Sequence, residues 1–124
     1  MLSLVVSIEY RSSICWEMML WASLHIIMLK FRARIFSVLI FEFELKGPVN
    51  PDEVSNIEEQ LPDLDGDTLI ITGKGPAWLY CLIMRKYLYR FAIIAVYDPE
   101  LQAAVIVSSH LMIFKMGDLI QLKL

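Results

Sequence analysis

Residues 68–97 read TLIITGKGPAWLYCLIMRKYLYRFAIIAVY, and this stretch decides the fold. It opens with the short apolar run Thr68 to Ile71, turns at glycine and proline, and continues as an apolar segment that ends in cations. A second apolar run follows from Ala92 to Tyr97. A strand, a helix and a strand within about thirty residues are typical of a βαβ crossover, in which the two strands are parallel. The sequence therefore predicts an α/β domain built around this unit.

The segments on either side extend this unit. Upstream, NPDE at 50–53 offers a cap, a proline for the first helical position and a glutamate that can complete a capping box. Downstream, DPEL at 98–101 predicts a turn into an antiparallel return strand at 103–108, and a last strand is predicted at 119–124. We therefore expect a single small α/β domain in which a mixed sheet carries two helices.

The composition limits the class of protein. With 124 residues the chain has length for one hydrophobic core. Apolar residues make up 57% of it, more than the usual fraction of about 45–50%, so a membrane segment has to be considered. The apolar run at 18–29 is much shorter than the roughly twenty residues of a spanning helix, and it does not fit a signal peptide. The sequence predicts a cytoplasmic protein that does not cross a membrane.

Net charge and cysteine content limit the classes of ligand and metal site that the sequence allows. The net charge of −3 argues against a protein that coats nucleic acid, because such binding uses many Lys and Arg contacts to phosphates. A small anionic ligand stays open, since a local group of donors decides its binding. Cys15 and Cys81 are too few for a disulfide framework and are not spaced as a zinc pair, so both are predicted to act as small apolar residues.

The first 27 residues differ in character from the rest, with clustered Met and Trp and without cap or turn signals. One hypothesis is that translation starts at Met28, so that residues 1–27 are an extension and the domain comprises residues 28–124. The alternative is an N-terminal helix packed on the domain. Beyond Met28, apolar and charged residues alternate at 31–35 and 41–45, which predicts half-buried strands joined as a hairpin or as one bent strand.

The turn Gly73-Lys74-Gly75-Pro76 is the first candidate site. It lies between a predicted strand and a predicted helix, where free backbone N–H groups and the helix dipole favour an anion. Glycine lets the backbone approach a phosphate closely, and Lys74 adds positive charge. The alternative is an ordinary tight turn with proline at the first helical position.

Asp98 and His110 are the candidates for chemistry. Asp98 ends a predicted parallel strand, where open α/β sheets place ligands and where a carboxylate can hold a metal or orient a proton transfer. Its alternative role is to bond the backbone of its own turn. His110 follows the return strand and is either structural or, with Asp98 nearby across the hairpin, a manganese ligand or an acid–base group.

In combination, the motif GKGP…W…C…KY…AVYDP…SH…GD resembles the third of the Csx-named families of CRISPR-associated proteins, over residues 28–124. The resemblance implies a Rossmann-like, CARF-related fold and a homodimer or tetramer in type III antiviral defence. It also implies that dimers bind cyclic tetra-adenylate, or short RNA, and that Mn²⁺-dependent cleavage opens the ring or removes adenylate from RNA. Asp98 and His110 are the implied catalytic and metal-binding residues, and Gly73 to Pro76 are expected to face the nucleotide.

The chain departs from the family at the end of the long helix. Relatives are rich in histidine there, whereas this chain has Leu88 and Tyr89. A tyrosine with an ordinary pKa near 10 is a poor base at neutral pH, so general acid–base help of about 10²–10⁴-fold is missing. Arg85, Lys86 and Arg90 either strengthen phosphate binding or form a solvated helix end.

Spacing and aromatic residues raise two further questions. The interval from Asp98 to His110 is one residue longer than usual in the family, which turns a side chain to the other face of the sheet unless a bulge absorbs it. Trp78, Tyr80 and Tyr87 either stack adenines or form core or dimer contacts.

Three classes of function therefore stay open. The first is a ring nuclease that uses Asp98, His110 and Mn²⁺. The second is a binding module that keeps the residues 73–76 but has lost turnover, and acts as a sensor or a sponge. The third is a structural or membrane-associated protein that uses its N-terminal apolar run.

Overall fold

The protein is described by a computed structural model over residues 3–6, 14–20, 24–33, 36–45 and 50–122, with side chains from residue 37 onward. The strands are β1 (Ser3–Val6), β2 (Ile14–Leu20), β3 (Leu24–Ala33), β4 (Phe36–Leu45), β5 (Gly66–Lys74), β6 (Phe91–Asp98), β7 (Ala103–Ser109) and β8 (Leu119–Leu122). The helices are α1 (Val54–Gln60), which follows a single 3₁₀ turn at Pro51–Glu53, and α2 (Ala77–Tyr87).

These strands form one mixed sheet in the order β1-β8-β7-β6-β5-β4-β3-β2. Its centre is parallel, because β5 pairs with both β4 and β6 in the same direction. On one side, β7 is antiparallel to β6 and β8 is antiparallel to β7. On the other side, β3 is antiparallel to β4. The predicted α/β domain with a mixed sheet, two helices and a central βαβ unit is confirmed.

Both helices lie on the same face of the sheet. Ile57 of α1 and Leu79 and Ile83 of α2 are buried in one cluster with Phe41 and Ile71 of the sheet. A doubly wound Rossmann sheet carries helices on both faces, whereas the described residues place them on one. The relation to CARF domains stays a prediction.

The opposite face of the sheet is also apolar. Its buried residues include Ile70 of β5, Ile93 of β6 and Ile106 of β7, and Leu111 and Phe114 from the β7–β8 connection pack against them. Parallel strands that are buried on both faces are apolar at consecutive positions rather than at alternate ones. This explains why the central strands appear in the sequence as continuous apolar runs.

Helix α2 is buried on most sides. Leu79, Leu82 and Tyr87 face the core, and the exposed positions form one narrow stripe at Ala77, Cys81 and Arg85. The prediction that this helix is buried on most sides is therefore confirmed, while Cys81, predicted to act as a small apolar residue, is exposed in a single copy. No helix in the described ranges is long and apolar enough to cross a membrane.

The predicted helix after Asn50 is confirmed, but its capping differs. Its first turn is 3₁₀, closed by a backbone bond of 3.0 Å from the Glu53 N–H to the Asn50 carbonyl. Neither Asn50 nor Glu53 makes a side-chain cap bond, so the predicted capping box is wrong. Burial holds the helix in place instead, since Ile57 and Leu61 are almost completely buried.

The described N-terminal segments are strands. β2 and β3 pair antiparallel, and β3 pairs with β4 from Leu24 opposite Leu45 to Ala33 opposite Phe36. The N-terminal helix is therefore wrong, because backbone pairing along the sheet edge gives these apolar runs partners. The hairpin is confirmed over the single bent strand. The boundary at Met28 falls inside β3, and a translation start there stays a prediction. Residues 34–35 and 123–124, in predicted strands, lie outside the described part.

The β6–β7 hairpin contains a bulge, which was one of the two outcomes left open by the sequence spacing. Ile94 lies opposite Ser108, but Ala95 lies opposite Ile106, so that Val107 is an extra residue on β7. The extra residue restores the alternation of inward and outward side chains on either side of the bulge. The turn of the hairpin, at 99–102, is the one predicted from the Asp-Pro sequence.

Tyr87 fixes the end of α2 against the end of α1. Its ring is 1% exposed, and its hydroxyl donates a hydrogen bond of 2.6 Å to the Pro62 carbonyl. Burial, and then the nearby Asp63 carboxylate, raise the pKa of this phenol well above its ordinary value near 10.

A tyrosine whose pKa is raised on folding makes stability depend on alkaline pH. The neutral phenol is present in both states below about pH 10, and above it the unfolded chain loses its proton first. We therefore expect the free energy of unfolding to fall as pH rises beyond about 10. In Tyr87→Phe it should fall less steeply, because no phenol is left to titrate. At neutral pH this variant should be less stable by about 1 kcal/mol, because it lacks the hydrogen bond to Pro62. Urea unfolding at neutral and alkaline pH tests this, and equal slopes in both proteins would contradict it.

Candidate functional site

The sheet has two edges that matter for function. At the carboxyl edge the parallel strands β4, β5 and β6 end, at Leu45, Lys74 and Asp98. At the amino edge these strands begin, α2 ends, and β7 delivers His110. The predicted site residues divide between these edges. Residues 73–76 and Asp98 lie at the carboxyl edge, and the other candidates lie at the amino edge.

The glycines of the predicted phosphate cradle are required by packing. Gly73 is not in a turn but in β5, opposite Phe43 of β4, with φ +156°. A Cβ atom there would overlap the Phe43 carbonyl oxygen and lie 2.8 Å from its ring, and a Cβ atom at Gly75 would lie 2.8 Å from the same ring. The turn proper is therefore confined to Gly75 and Pro76.

Tyr80 completes this packing from the helix side. Its ring meets the Phe43 ring edge-on, with centroids 4.8 Å apart, and its hydroxyl donates a hydrogen bond of 2.5 Å to the Gly73 carbonyl. Burial raises the pKa of Tyr80 despite that hydrogen bond, which lowers it. The segment 73–76 is thus held from both sides by side chains of the core.

An anion-binding role at this turn has limited support. Pro76 precedes α2 rather than starting it, and no side chain caps the helix, so its first N–H groups are available in principle. Lys74 is exposed but lies beside Glu44 in the neighbouring strand. The other charged side chains that the structure describes here are carboxylates: Asp52 and Glu53 at the start of α1, and Asp98 and Glu100 in the hairpin turn. The described part of the carboxyl edge is therefore acidic and repels a multiply charged anion.

Asp98 has the structural role that was its alternative to metal binding: it bonds the backbone of its own turn. Its Oδ1 accepts a hydrogen bond of 2.9 Å from the Glu100 N–H, and the Gln102 N–H bonds the Pro99 carbonyl at 3.3 Å. Asp98 therefore shapes the hairpin turn through its own backbone.

His110 is held at the other end of the same hairpin. Its backbone N–H donates to the Ala92 carbonyl at 2.8 Å, and its Nε2 lies 3.0 Å from the Leu88 carbonyl. Because a carbonyl only accepts, Nε2 carries the proton in this bond. The histidine thus links β7 to the end of α2.

Asp98 and His110 do not come together within one copy. Asp98 lies beside Ala103 at the turn, whereas His110 lies beside Ala92, six positions away along β6. At about 3.3 Å per residue, about 20 Å separate the two backbones. A metal ion bonds its ligands at about 2–2.5 Å, so no single Mn²⁺ can bridge them. No group of three or more acidic, His or Cys side chains suited to a metal occurs among the described residues. One copy therefore does not bring Asp98 and His110 to a common Mn²⁺ ion, and a manganese site that uses both residues stays a prediction.

The cations of the amino edge occupy the end of α2. Arg85 is exposed and forms a 3.7 Å ion pair with Glu58 of α1, Lys86 is half-buried, and Arg90 is exposed. Together they outweigh the partial negative charge at the C-terminus of the helix. Carboxylates also lie near this edge: Glu58 pairs with Arg85, Asp63 lies near Tyr87, and Asp63 and Asp65 line a cleft together with Phe91 of β6.

This cleft, of about 200 Å³, opens beside the α1–β5 connection. It is lined by Ser37, Leu39, Asp63, Leu64, Asp65, Gly66, Thr68 and Phe91. Sites for drug-sized ligands are usually about 300–1,000 Å³, so this cleft cannot enclose a ring of four nucleotides. Such a ring would have to lie on the surface of the protein or between two copies.

The aromatic residues divide into core and surface. Tyr87 and Tyr80 make the core contacts described above, and Trp78 packs half-buried against the same cluster. The core alternative is thus confirmed for these three. Tyr89, by contrast, is 87% exposed, and sequence reasoning treated it only as a lost histidine. Its exposure is a property of the structure, in which Ile83 and Tyr87 are buried and Tyr89 is not.

Comparisons with known proteins identify a family and a relative. A protein-family model described as "CRISPR-associated protein (Cas_csx3)" matches residues 42–121, from β4 to β8. The chain is also similar to an uncharacterized protein of Aquifex aeolicus (strain VF5), with 36% identity over 85 residues that cover 66% of this chain and 76% of the relative. The matched segment contains both helices and every candidate site residue.

Proposed function

Because the chain belongs to the Cas_csx3 family of CRISPR-associated proteins, we propose that it binds cyclic tetra-adenylate and that one copy holds the ring without opening it. The ligand class is the one that the family resemblance implies. The observation that carries the binding site is the group of cations at the end of α2, on the edge of the sheet opposite the acidic turn. The intact ring follows from the separation of Asp98 and His110.

Charge decides between the two edges. The ring carries four phosphates, and a charge-assisted hydrogen bond to each phosphate contributes about 1.5–3 kcal/mol. Lys86 and Arg90 lie within one turn of each other, and Arg85 joins them if a phosphate displaces Glu58, whose exposed ion pair is weak. At the carboxyl edge Lys74 is the one cation among the described residues, and it lies beside acids. The amino edge is therefore the better phosphate site.

The test is a calorimetric titration of the full chain with cyclic tetra-adenylate at low and moderate salt. We expect Lys86→Ala and Arg90→Ala each to weaken binding about tenfold and to reduce its salt dependence. Lys74→Ala, an exposed lysine on the opposite edge, is the matched control and should bind as the wild type does. If Lys74→Ala weakens binding and the other two do not, the ring binds at the carboxyl edge. If the wild type does not bind, the proposed function is wrong.

Ring opening by two copies is the second candidate function. It is favoured by one observation: Asp98 and His110 are both present, on opposite edges of the molecule. Two copies stacked edge to edge would bring Asp98 of one to His110 of the other, with the ring between them. In such an assembly the two residues would be the protein ligands for Mn²⁺, which supplies charge stabilisation at the cleaved phosphate.

A further inference from the structure

The amino edge presents an aromatic pair that no core contact explains. The Tyr89 ring lies over the His110 imidazole, with centroids 6.3 Å apart and ring planes 24° from parallel. This is within the range of offset-stacked aromatic pairs, about 4.5–7 Å. Tyr89 is nevertheless 87% exposed, so the histidine lies on one side of its ring and leaves most of the ring surface open to solvent.

Backbone bonds hold this pair in position. The Arg90 N–H donates to the Tyr87 carbonyl at 3.0 Å, and the Arg90 carbonyl accepts from the Gly66 N–H at 3.2 Å. Tyr89 therefore sits in a short turn fixed on its C-terminal side to β5. On its N-terminal side, the Leu88 carbonyl contacts His110 Nε2. Because the backbone that carries Tyr89 is fixed in this way, it loses little conformational entropy when a ligand stacks on the ring.

The neighbours of Tyr89 are positively charged. Arg90 follows it directly, and Arg85 and Lys86 lie in the preceding helical turn. An aromatic platform beside cations is the arrangement by which proteins bind single-stranded nucleic acid and nucleotides: the base stacks on the ring and the phosphate meets the cation. Such stacking does not require hydrogen bonds to the base edge, so the platform suits any base.

We propose that the free face of Tyr89 stacks on a nucleobase whose phosphate contacts Arg90, with His110 supporting the tyrosine ring from behind. Where the nucleotide belongs to cyclic tetra-adenylate, this inference rests on the proposed function and names the residue that holds one adenine. The same chemistry accepts a base of linear single-stranded RNA. Tyr89 is thus a ligand-binding residue at the end of α2.

The experiment uses two fluorescent probes, each containing 2-aminopurine, whose emission is quenched when it stacks. One is cyclic tetra-adenylate with a single 2-aminopurine, and the other is a short linear oligoadenylate with the same substitution. Each probe is titrated with the wild-type chain, Tyr89→Phe, Tyr89→Ala and Met112→Ala. Met112 is 97% exposed and lies in the β7–β8 connection, so its substitution controls for the loss of an exposed apolar side chain.

We expect Tyr89→Ala to weaken binding of at least one probe by about 5- to 100-fold and to abolish the quenching. Tyr89→Phe should retain both, and Met112→Ala should behave as the wild type. Because Tyr89 is exposed, its substitutions should leave the thermal midpoint unchanged, so that lost binding is not lost folding. The probe whose binding is weakened shows whether the stacked base belongs to cyclic tetra-adenylate or to linear RNA.

Three results would overturn the inference. Unchanged affinity and quenching in Tyr89→Ala would do so while leaving the proposed function intact, provided that the cyclic probe binds. Equal losses in Tyr89→Phe and Tyr89→Ala would show that the hydroxyl, not stacking, is used. If the wild type binds neither probe, the inference and the proposed function fail together. Binding of the linear probe alone, with dependence on Tyr89, supports the inference and contradicts the proposed function.

Discussion

Gly73→Ala is expected to lower the free energy of unfolding by about 3 kcal/mol or more, or to prevent folding. A Cβ atom at this position would overlap the Phe43 carbonyl of the neighbouring strand, and φ is +156°. The overlap involves backbone, so neither side can move without breaking the pairing of β4 and β5. Urea unfolding followed by circular dichroism measures the effect.

Neighbouring positions provide the controls for this prediction. Lys74→Ala changes an exposed side chain between the two glycines and should alter stability by less than about 0.5 kcal/mol. Gly75→Ala would overlap only the Phe43 ring, at 2.8 Å, so its cost should shrink in the background of Phe43→Leu, whereas that of Gly73→Ala should not. A stable Gly73→Ala that has lost only nucleotide binding would contradict the packing role and support the phosphate cradle.

Mixing two inactive variants is expected to restore activity if the protein opens the ring at all. Asp98→Ala and His110→Ala should each be inactive with cyclic tetra-adenylate and Mn²⁺, because each variant lacks one of the two residues that ring opening would require. In one copy the two residues are about 20 Å apart, so an active centre must take them from different copies. In an equal mixture, about one interface in four carries both wild-type residues, and about a quarter of the wild-type rate should return.

The outcome of mixing separates three accounts. Recovery of activity would establish a centre shared between copies and make ring opening the function. Wild-type activity that is lost in both variants but not restored by mixing would mean that both residues act within one copy, against the geometry described here. Wild-type protein without activity at any concentration leaves binding as the function. The double variant Asp98→Ala/His110→Ala is the control, since mixing it with either single variant cannot complete a centre.

Much of the fold follows from local sequence. The apolar runs of β5 and β6 and the turn at Asp98 predict a βαβ unit and a return strand, both of which form. Each signal is contained in a few consecutive residues. The N-terminal strands were missed because their partners are distant in sequence: β1 pairs with β8, and an apolar run such as 18–29 fits a helix or a strand equally well.

The site was harder to predict than the fold. Glycine at position 73 has the same appearance in a phosphate cradle as in a strand packed against Phe43, and only the tertiary contact separates them. Asp98 and His110 were placed together because both flank the hairpin, but one is at its turn and the other at its open end. That error was avoidable from the sequence, since residues that bracket a return strand lie at opposite ends of it. Tyr89 could be recognised as an exposed aromatic residue only from the structure, because its exposure depends on which side of α2 the sheet covers.

The most direct test is to saturate the full chain with cyclic tetra-adenylate in the presence of Mn²⁺, release the nucleotide after many binding lifetimes, and determine its mass. Dilute protein should bind the ring and return it intact, because no single copy assembles a cleaving centre. Linear product formed at a rate independent of protein concentration would contradict the account, since it would require Asp98 and His110, or other residues, to cleave within one copy. Failure to bind would contradict it at the first step.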